Sequence, residues 1–432
     1  MGVYNICMVS DFFYPNMGGV ESHIYTLSQC LLEHDHKVVV ITHSYGDRVG
    51  IRYMLNGLKV YYLPIKTFYN QVALPTLVAS LPIIRYIFVR EEIQIVHGHS
   101  SFSTLAHEAM LIARLLGLKV VFTDHSLFGF ADASAVVTNK FLELSLANCN
   151  HCICVSHTGK ENTVLRAKVP AEQVSVIPNA VDWSLFRPGD AKQSDRVTVI
   201  SMSRLVYRKG IDLLAKVIPI ICQKYPQVDF IIGGDGPKRL VLEQMKEIHN
   251  LHDRVTLLGG LNQNEVRNNL VKGDIFINTS LTEAFCMAIV EAASCGLQIV
   301  STRVGGIPEV LPPDLIYLAE PDVTSIINAL KEAINDRING RFLPPNLIHK
   351  RIKEIYDWRK ITQRTMNVYN HVYNEEEISI SEKLSRYRKC GILAGPFFLL
   401  LVLLVHFCIR IVDWWIPRHS IDIARKIVVK KK

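Results

Sequence analysis

The chain lacks the sequence features of small secreted proteins. Its ten cysteines are spread over 432 residues and do not form the dense pattern of a disulfide scaffold. The first apolar run has no basic segment before it and ends at Asp11 after one strand's length, so no signal peptide is expected. These absences favour a reducing compartment.

The body of the chain also lacks an excess of charge. The formal net charge is +8, but residues 383–432 contain 11 basic and 2 acidic residues, which leaves 37 basic and 38 acidic residues elsewhere. A nearly neutral body has no field that would attract a polyanion such as nucleic acid. We expect the basic tail, residues 413–432, to lie on an anionic membrane surface.

One long hydrophobic run is present near the C-terminus. In residues 391–409 the only side chain that can gain a positive charge is His406 and no acidic residue is present, and 19 helical residues extend about 28 Å, close to the thickness of a bilayer's hydrocarbon core. Basic and aromatic residues flank the run, as is typical of membrane interfaces. The sequence predicts a linker over 374–390 and a transmembrane helix over 391–412.

Strand and helix patterns alternate along the rest of the chain. Nearly continuous Val and Ile runs predict strands buried on both faces, which is typical of parallel sheets covered by helices. The pattern restarts at Val197, after a segment punctuated by Pro and Gly. We therefore predict an α/β fold of two doubly wound domains, residues 1–188 and 189–350, that face a cleft where a ligand binds.

Two loops at predicted strand ends are suited to binding an anion. Gly18 and Gly19 follow the first strand, where helix-start amides approach an anion closely, although a plain tight turn explains the pair as well. Arg204 and Lys209 follow the first strand of the second domain. Cations placed there would stabilise the charge of a departing diphosphate, whereas a solvated charged turn is the structural alternative.

A third segment contributes two carboxylates. Glu283 precedes a predicted helix, and Glu291 lies on that helix among apolar residues. A carboxylate in such a place is costly to bury unless it is hydrogen-bonded, and sugar hydroxyls are suitable donors. The helix start, at Phe285 and Cys286, would offer free amides to a phosphate.

The spacing of these carboxylates resembles a known family. Seven residues separate Glu283 from Glu291, as in the E-x7-E motif of retaining nucleotide-sugar glycosyltransferases of family four, which have the GT-B fold. The resemblance covers residues 1–373, including the Tyr-Asp-Trp-Arg sequence at 356–359. It implies that the helix over 351–373 crosses back to the first domain.

Three other sequence segments resemble one group of enzymes within this family. Residues 12–21, 96–99 and 123–129 are similar to those of members that transfer N-acetylglucosamine from UDP-GlcNAc to phosphatidylinositol. This resemblance implies the first step of glycosylphosphatidylinositol (GPI) anchor biosynthesis. It also implies a single-pass endoplasmic reticulum membrane protein with cytosolic catalytic domains, working with other subunits of a membrane complex.

The family resemblance implies roles for the residues of the second domain. Arg204 and Lys209 would hold the diphosphate of UDP-GlcNAc, and Glu291 would accept hydrogen bonds from the ribose hydroxyls. Gly234 and Asp235 would form a loop of the nucleotide-binding half.

The resemblance also implies how the transferred sugar is held. Glu283, together with the amides of Phe285 and Cys286, would bind the sugar near its C3 and C4 hydroxyls. His125 would position the sugar or stabilise charge at its anomeric carbon.

The remaining predicted site residues have weaker assignments. Gly19, next to Gly18, would offer its amide to a phosphate as the cleft closes. Asn179 would lie at the cleft edge. His99 is a candidate for substrate binding or for a structural role only.

The sequence contains no pair of aspartates separated by one residue, the usual metal-binding motif of metal-dependent glycosyltransferases. The resemblance likewise implies chemistry without a metal or a further cofactor. Retention suggests attack by an inositol hydroxyl on the face that the phosphate leaves. The sequence leaves a double displacement open.

Two other functions remain open at this stage. The same fold could use a different donor, such as GDP-mannose, on a lipid acceptor, or it could be a non-catalytic scaffold that binds a sugar nucleotide.

Residues 72–89 are also open to two interpretations. They could dip into the membrane with Arg85 and Arg90 facing lipid phosphate, or they could form a helix of the first domain's core.

Overall fold

The computed structural model describes residues 2–69, 71–76, 78–127, 133–190 and 196–425. These residues form two compact units. The first contains the described residues up to Pro178 together with those from Trp358 onward, and the second is Asn179–Asp357. The sequence places the corresponding divisions at 188/189 and 350/351.

Each unit is built from a parallel sheet with helices. The strands are β1 Asn5–Val9, β2 Lys37–His43, β3 Gly50–Tyr53, β4 Lys59–Leu63, β5 Thr67–Tyr69, β6 Val72–Ala73, β7 Ile95–His99, β8 Lys119–Asp124, β9 His151–Cys154, β10 Val174–Val176, β11 Val197–Met202, β12 Val228–Gly233, β13 Val255–Gly259, β14 Ile275–Asn278, β15 Gln298–Thr302 and β16 Ile316–Ala319. The helices are α1 Gly19–Glu33, α2 Leu81–Arg90, α3 Thr104–Leu115, α4 Ala133–Leu146, α5 His157–Ala167, α6 Ile211–Lys224, α7 Arg239–Ile248, α8 Gln263–Leu270, α9 Met287–Ser294, α10 Val323–Ile338, α11 Pro345–Ile355, α12 Trp358–Asn374, α13 Ile380–Arg388 and α14 Ala394–Trp415.

The first unit has an eight-stranded sheet in the order β10-β9-β8-β7-β1-β2-β4-β3. Its neighbouring strands are parallel except for β3 and β4, which pair antiparallel. The buried core includes Val39, Val96 and Phe122 from central strands. Helix α12 packs on α1 and β8 of this unit. The chain therefore returns to the first unit after completing the second.

The second unit has a six-stranded, fully parallel sheet in the order β13-β12-β11-β14-β15-β16. Its core combines strand residues such as Val199 and Ile277 with the apolar faces of α6 and α10, which provide Leu214 and Leu330. Two doubly wound sheets confirm the predicted α/β fold class. The strand order reverses between β1 and β7 in one unit and between β11 and β14 in the other.

The predicted hydrophobic C-terminal helix is present as α14, which is long and apolar enough to cross a membrane. The ten cysteines, all of them among the described residues, have free thiols. Residues 81–90 form the core helix α2, and Arg85 on it is only 1% exposed. The interpretation that Arg85 faces lipid phosphate is wrong, because its guanidinium forms an ion pair with Asp413.

Candidate active site

The candidate residues of the second unit lie at the point where its strand order reverses. Ligands of doubly wound sheets bind beyond the carboxyl ends of the strands at such a point. Strand β11 leads into the loop 203–210, which contains Arg204 and Lys209. Strand β14 leads into residues 279–286, which contain Glu283, and then into α9, which contains Glu291.

The loop after β11 is braced by the loop after β12. The amide of Leu205 donates to the carbonyl of Asp235 at 2.8 Å. Gly234 has φ +125°, and a Cβ there would lie 1.8 Å from the carbonyl oxygen of Ser203. Only glycine permits this approach. Gly234 and Asp235 thus support the loop that contains Arg204, and the Asp235 side chain itself is exposed.

The other end of the same loop is fixed to the end of β14. Gly210 has φ +65°, and a Cβ on it would lie 1.8 Å from the carbonyl oxygen of Thr279. The Thr279 hydroxyl donates to the carbonyls of Lys209 and Gly210, both at 3.0 Å. These contacts place Lys209 beside the segment that contains Glu283.

Lys209 and Glu283 form an ion pair in which both side chains are largely buried, at 22% and 14% exposure. The Ser280 hydroxyl donates to Glu283 Oε1 at 2.9 Å, so the carboxylate has a second donor. Burial opposes the charge of Lys209, but the neighbouring Cys286 and Glu283 outweigh it and raise the pKa of Lys209. Lys209 is therefore a fixed cation at neutral pH.

Arg204 differs from Lys209 in its surroundings. Its side chain is exposed and makes no ion pair within the part of the chain that the structure describes. Its positive charge is close enough to oppose the charge of Lys209. Two cations that repel each other at a strand end favour the binding of an anion between them.

The residues before α9 present backbone amides. Cys286 has φ +65°, the left-handed conformation, and directly precedes the helix. The amides of Phe285 and Cys286 donate to no acceptor among the described residues. They lie at the amino end of α9, where the helix dipole favours negative charge. Burial and Glu283 raise the pKa of the Cys286 thiol to about 12, so this thiol is not a nucleophile at neutral pH.

Glu291 lies on α9 with its carboxyl group largely out of water. Burial raises the pKa of this carboxyl from its ordinary 4.5 to about 7. No hydrogen bond to the side-chain carboxyl of Glu291 is found within the described part of the chain. A carboxyl in this state gains most from a neutral hydroxyl donor, which satisfies it without adding charge.

In the first unit, Gly18 and Gly19 lie beyond β1, the strand beside its own reversal point. Gly18 is the residue before α1, and a Cβ on it would lie 2.5 Å from a carboxylate oxygen of Glu21. A Cβ on Gly19 would contact nothing within 4 Å. The Glu21 carboxylate is the end of a flexible side chain that can move aside, so packing within the unit requires neither glycine. The α1 amino end is open at Gly19.

Three histidines come together next to this helix start. His99 ends β7, His125 follows β8, and His23 lies on α1, with the His23 and His125 ring centroids 4.9 Å apart. His99 Nδ1 is 3.3 Å from His125 Nε2. Burial and the neighbouring histidines lower the pKa of His99 and of His125 well below the ordinary value. Both imidazoles are therefore neutral at pH 7.

His97, two residues before His99 on β7, lies next to this histidine cluster and supports it. Its ring centroid is 4.1 Å from that of His99. Its Nδ1 is 2.6 Å from the hydroxyl of Tyr369 on α12, and its Nε2 is 2.7 Å from the hydroxyl of Thr123. Burial lowers the pKa of His97 to about 3. With both ring nitrogens bonded, His97 is a structural support for His99.

Asn179 is the first residue of the second unit. Its side chain is buried, and its Oδ1 has no hydrogen-bond partner among the described residues. An unsatisfied buried carbonyl oxygen is costly in free energy, so a donor from outside the unit would stabilise it. The predicted position of Asn179 at a cleft edge stays a prediction.

Comparisons with known proteins show the family to which the chain belongs. A family model described as PIGA (GPI anchor biosynthesis) matches residues 43–132, and one described as glycosyl transferases group 1 matches residues 185–354. One phosphatidylinositol N-acetylglucosaminyltransferase subunit, from Homo sapiens, is 58% identical over 98% of this chain and 87% of its own. The same-named protein of Arabidopsis thaliana is 52% identical over 98% and 94%.

The chain belongs to the family of these phosphatidylinositol N-acetylglucosaminyltransferase subunits. It is a glycosyltransferase. Sucrose-phosphate synthase from Thermosynechococcus elongatus has the same fold, with a TM-score of 0.70 and 19% identity over 86% of this chain and 99% of that one.

The two family matches cover the two groups of candidate residues. The PIGA match contains His99 and His125, and the group 1 match contains Arg204, Lys209 and Glu283 together with Glu291. Within the second unit, the structure brings Lys209 and Glu283 into contact. The roles of all these residues stay predictions.

The sequence alone did not identify three residues that shape these sites. His23 lies four positions after Gly19, so a helical reading places both on one face of α1. Ser280 holds the Glu283 carboxylate. Asp11, two residues beyond the end of β1, accepts from the amides of Ala73 and Thr104 at 3.2 and 2.9 Å, and burial raises its pKa to about 7. The position of Asp11 just beyond the end of a predicted strand is the sequence feature that could have identified it as a candidate site residue.

One cluster among the described residues has the geometry of a metal site. One ring nitrogen from each of His23, His99 and His125 lies within 4.8 Å of the other two. Neutral imidazoles are good ligands for zinc. The expectation that catalysis needs no metal stays a prediction.

Proposed function

We propose that this protein transfers N-acetylglucosamine from UDP-GlcNAc to phosphatidylinositol, giving UDP and the first intermediate of GPI anchor biosynthesis. The observation that carries the proposal is the pairing of Lys209 with Glu283 at the reversal point of the second sheet, with Arg204 beside them. This arrangement suits a sugar attached to a diphosphate, because it offers cations and a carboxylate side by side.

The cations act mainly on the leaving group. As the bond between the sugar and UDP breaks, negative charge grows on the outer phosphate oxygens. Arg204 and Lys209 stabilise that growing charge more than the charge of the intact donor, which lowers the barrier. The amides of Phe285 and Cys286 add oriented dipoles that need no reorganisation during the reaction.

The carboxylates orient the donor. Glu291 accepts hydrogen bonds from the ribose hydroxyls, and its lack of another partner favours this role. Glu283 accepts from hydroxyls of the sugar, and Lys209 beside it binds the diphosphate. His125, as a neutral imidazole, interacts with the sugar without adding positive charge next to the anomeric carbon.

We propose that retention results from attack on the same face that the phosphate leaves. The inositol oxygen forms a bond to the anomeric carbon as the bond from that carbon to the phosphate oxygen breaks. The hydroxyl proton passes to the departing phosphate, so no protein base is required. The chain's own residues stabilise the charges of this step, and we propose that it needs no metal ion.

We further propose that the protein works at the cytosolic face of the endoplasmic reticulum membrane, anchored by α14. Its relatives are named as subunits of a transferase. Other membrane subunits are therefore expected beside it, and a soluble catalytic unit held near the lipid surface gains access to phosphatidylinositol.

Product analysis tests this function. Membranes containing the protein are incubated with phosphatidylinositol and either labelled UDP-GlcNAc or labelled GDP-mannose. The proposal expects label only from UDP-GlcNAc, in a lipid that phosphatidylinositol-specific phospholipase C cleaves. Label from GDP-mannose would favour the alternative donor, and no labelled lipid from either donor would favour the scaffold.

A further inference from the structure

His125 lies just beyond the point where the hydrogen-bonded ladder of its strand ends. Strand β8 pairs with β9 as far as Asp124, which lies opposite Cys154. The ladder therefore fixes Asp124 but not the next residue. A histidine that acts on a sugar needs a defined position, so the contacts that hold the backbone at His125 matter for its role.

The side chain of Asp124 closes a turn around His125. Asp124 Oδ1 accepts from the backbone amide of Ser126 at 3.0 Å. A carboxylate that accepts from the amide two residues later forms an Asx turn, which limits the backbone angles of the residue in between. That residue is His125. The Asp124 side chain thus holds the backbone of His125 in one conformation.

The other carboxylate oxygen of Asp124 is attached to helix α5. Asp124 Oδ2 accepts from the hydroxyl of Thr163 at 3.2 Å and lies 3.8 Å from a terminal nitrogen of Arg166. All three residues are buried. A buried carboxylate is costly without such partners, so these contacts strongly constrain the direction of the Asp124 side chain.

Arg166 is itself held by two asparagines. Its Nε donates to Asn139 Oδ1 at 2.6 Å, and a terminal nitrogen donates to Asn162 Oδ1 at 3.1 Å. Asn139 lies on α4 and Asn162 on α5. The turn that contains His125 is therefore connected through Asp124 and Arg166 to two helices, in addition to its attachment to the sheet.

Asp124 acts on the position of the His125 ring and not on its charge. The groups that lower the pKa of His125 are burial and the neighbouring His23 and His97. An aspartate bonded to an imidazole would instead favour the charged ring. The carboxylate of Asp124 is directed to Arg166, so it holds the turn while His125 stays neutral.

We infer that Asp124 is a positioning residue that directs His125 toward the transferred sugar. The inference rests on the proposed function, which assigns His125 to the sugar. His99 limits the ring from the other side, because the two rings are stacked with their centroids 5.6 Å apart. The competing explanation is an ion pair that only joins β8 to α5 and affects stability alone.

A double-mutant cycle in the full-length protein, assembled with its partner subunits, separates these explanations. The kcat and the donor KM are measured for the unmodified protein, Asp124→Ala, His125→Ala and the double variant, with whichever sugar nucleotide labels lipid. We expect Asp124→Ala to lower kcat about tenfold, because small displacements of a reacting group are costly in rate. The KM should change less than about twofold, because the second unit binds the nucleotide.

The decisive comparison is the effect of the same substitution without the histidine. In the His125→Ala background, Asp124→Ala should change kcat by less than about twofold, because residues that act through one another are not additive. The same fold loss with and without His125 would overturn the inference, and so would an unchanged kcat in Asp124→Ala.

Thr163→Val is the second variant, which covers the case that Asp124→Ala does not fold. It removes one donor to Asp124 and leaves the contact with Arg166 in place. We expect kcat to fall about threefold with His125 present and to stay the same in the His125→Ala background. A loss that persists without His125 would also overturn the inference.

Asp274→Ala is the matched control. Asp274 is also a buried aspartate, which pairs with Arg337 at 2.8 Å and accepts from the amide of Thr198 at 2.8 Å, but it precedes β14 at the amino end of the strand. We expect a lower melting temperature and the same fold change in kcat with and without His125. If the unmodified protein labels no lipid from either donor, the proposed function falls and this inference with it. A cycle without coupling in a protein that does label lipid overturns the inference alone.

Discussion

Buried charges in the second unit are arranged for binding rather than for stability. The Lys209–Glu283 pair is mostly shielded from water, and a pair of this kind contributes little net stability after desolvation. Its position beside Arg204 instead provides a site with both signs of charge. At the residue scale, the strongest predictions therefore concern activity.

Replacement of Lys209 tests the role of the fixed cation. We expect Lys209→Ala to lower kcat by more than about tenfold, because the charge that grows on the leaving diphosphate loses a partner. Turnover is measured with labelled UDP-GlcNAc in the assembled complex. The control is Arg208→Ala, which removes an exposed charge one position earlier. Equal kcat in the Lys209→Ala variant and the unmodified protein would contradict the diphosphate assignment.

Glu291 gives a prediction with a defined pH dependence. Its folded pKa is about 7 and its ordinary value 4.5, so the folded protein binds the proton more tightly than the unfolded chain. Ionisation of Glu291 therefore costs stability as pH rises from 4.5, and the full cost is present above pH 7. We expect Glu291→Gln to raise the melting temperature more at pH 8 than at pH 5.

The same variant should lose donor affinity. A neutral amide is a weaker acceptor than a carboxylate, so we expect the KM for UDP-GlcNAc to rise about five- to tenfold. An exposed glutamate on α10, replaced as Glu332→Gln, is the control for both measurements. A lower melting temperature at pH 8, or an unchanged KM, would count against the assigned environment of Glu291.

The sequence could identify the charged residues of the second unit but not their partners. The E-x7-E spacing and the Arg204 loop are visible along the chain. The hydrogen bond from Ser280 to Glu283 and the support of the Arg204 loop by Asp235 depend on which strands are neighbours. In the first unit, the alternation of β7 places His97 and His99 on one face of the strand. The hydrogen bond between His97 and Tyr369 depends on the return of α12, which no local pattern encodes.

At the scale of elements, hydrophobic periodicity predicted most strands and helices. Strands β11 and β15 coincide with apolar runs whose residues are all buried, so the sequence signal for them is strong. The helix that the sequence starts at Phe285 and Cys286 begins later, at Met287, because Cys286 adopts a left-handed conformation. The antiparallel edge strand β3 was not predicted, since all four of its residues are exposed.

The contact between the Arg204 loop and β14 gives an element-scale prediction. We expect Gly210→Ala to destabilise the protein by about 1–3 kcal/mol and to lower activity, because the new Cβ would displace the Thr279 carbonyl and shift the loop. The matched control is Gly340→Ala, where φ is +68° but a Cβ meets nothing within 4 Å. Equal melting temperatures for the two variants would contradict the steric explanation.

Helix α12 provides a second test at this scale. Tyr369→Phe removes the hydroxyl bonded to His97 inside the first unit, and we expect a loss of about 1–3 kcal/mol from the free energy of unfolding. Tyr373→Phe is the control, because its hydroxyl lies at an exposed position on the same helix. If both variants unfold at the same denaturant concentration, α12 is not fixed through His97.

At the scale of the whole molecule, a single family relation covers nearly the entire chain. The resemblance of the E-x7-E motif predicted that relation because the motif and the fold occur together. Sequence could not predict that Arg85 pairs with Asp413, because more than 300 residues separate them along the chain.

The central claim is that Arg204, Lys209, Glu283 and Glu291 hold the sugar donor for transfer. The most direct measurement is the rate at which labelled N-acetylglucosamine enters phosphatidylinositol, in complexes of equal content that contain either the unmodified protein or the double variant Arg204→Ala, Glu283→Gln. We expect the double variant to be at least about a hundredfold slower. Equal rates would contradict the claim and leave the chain as a binding scaffold.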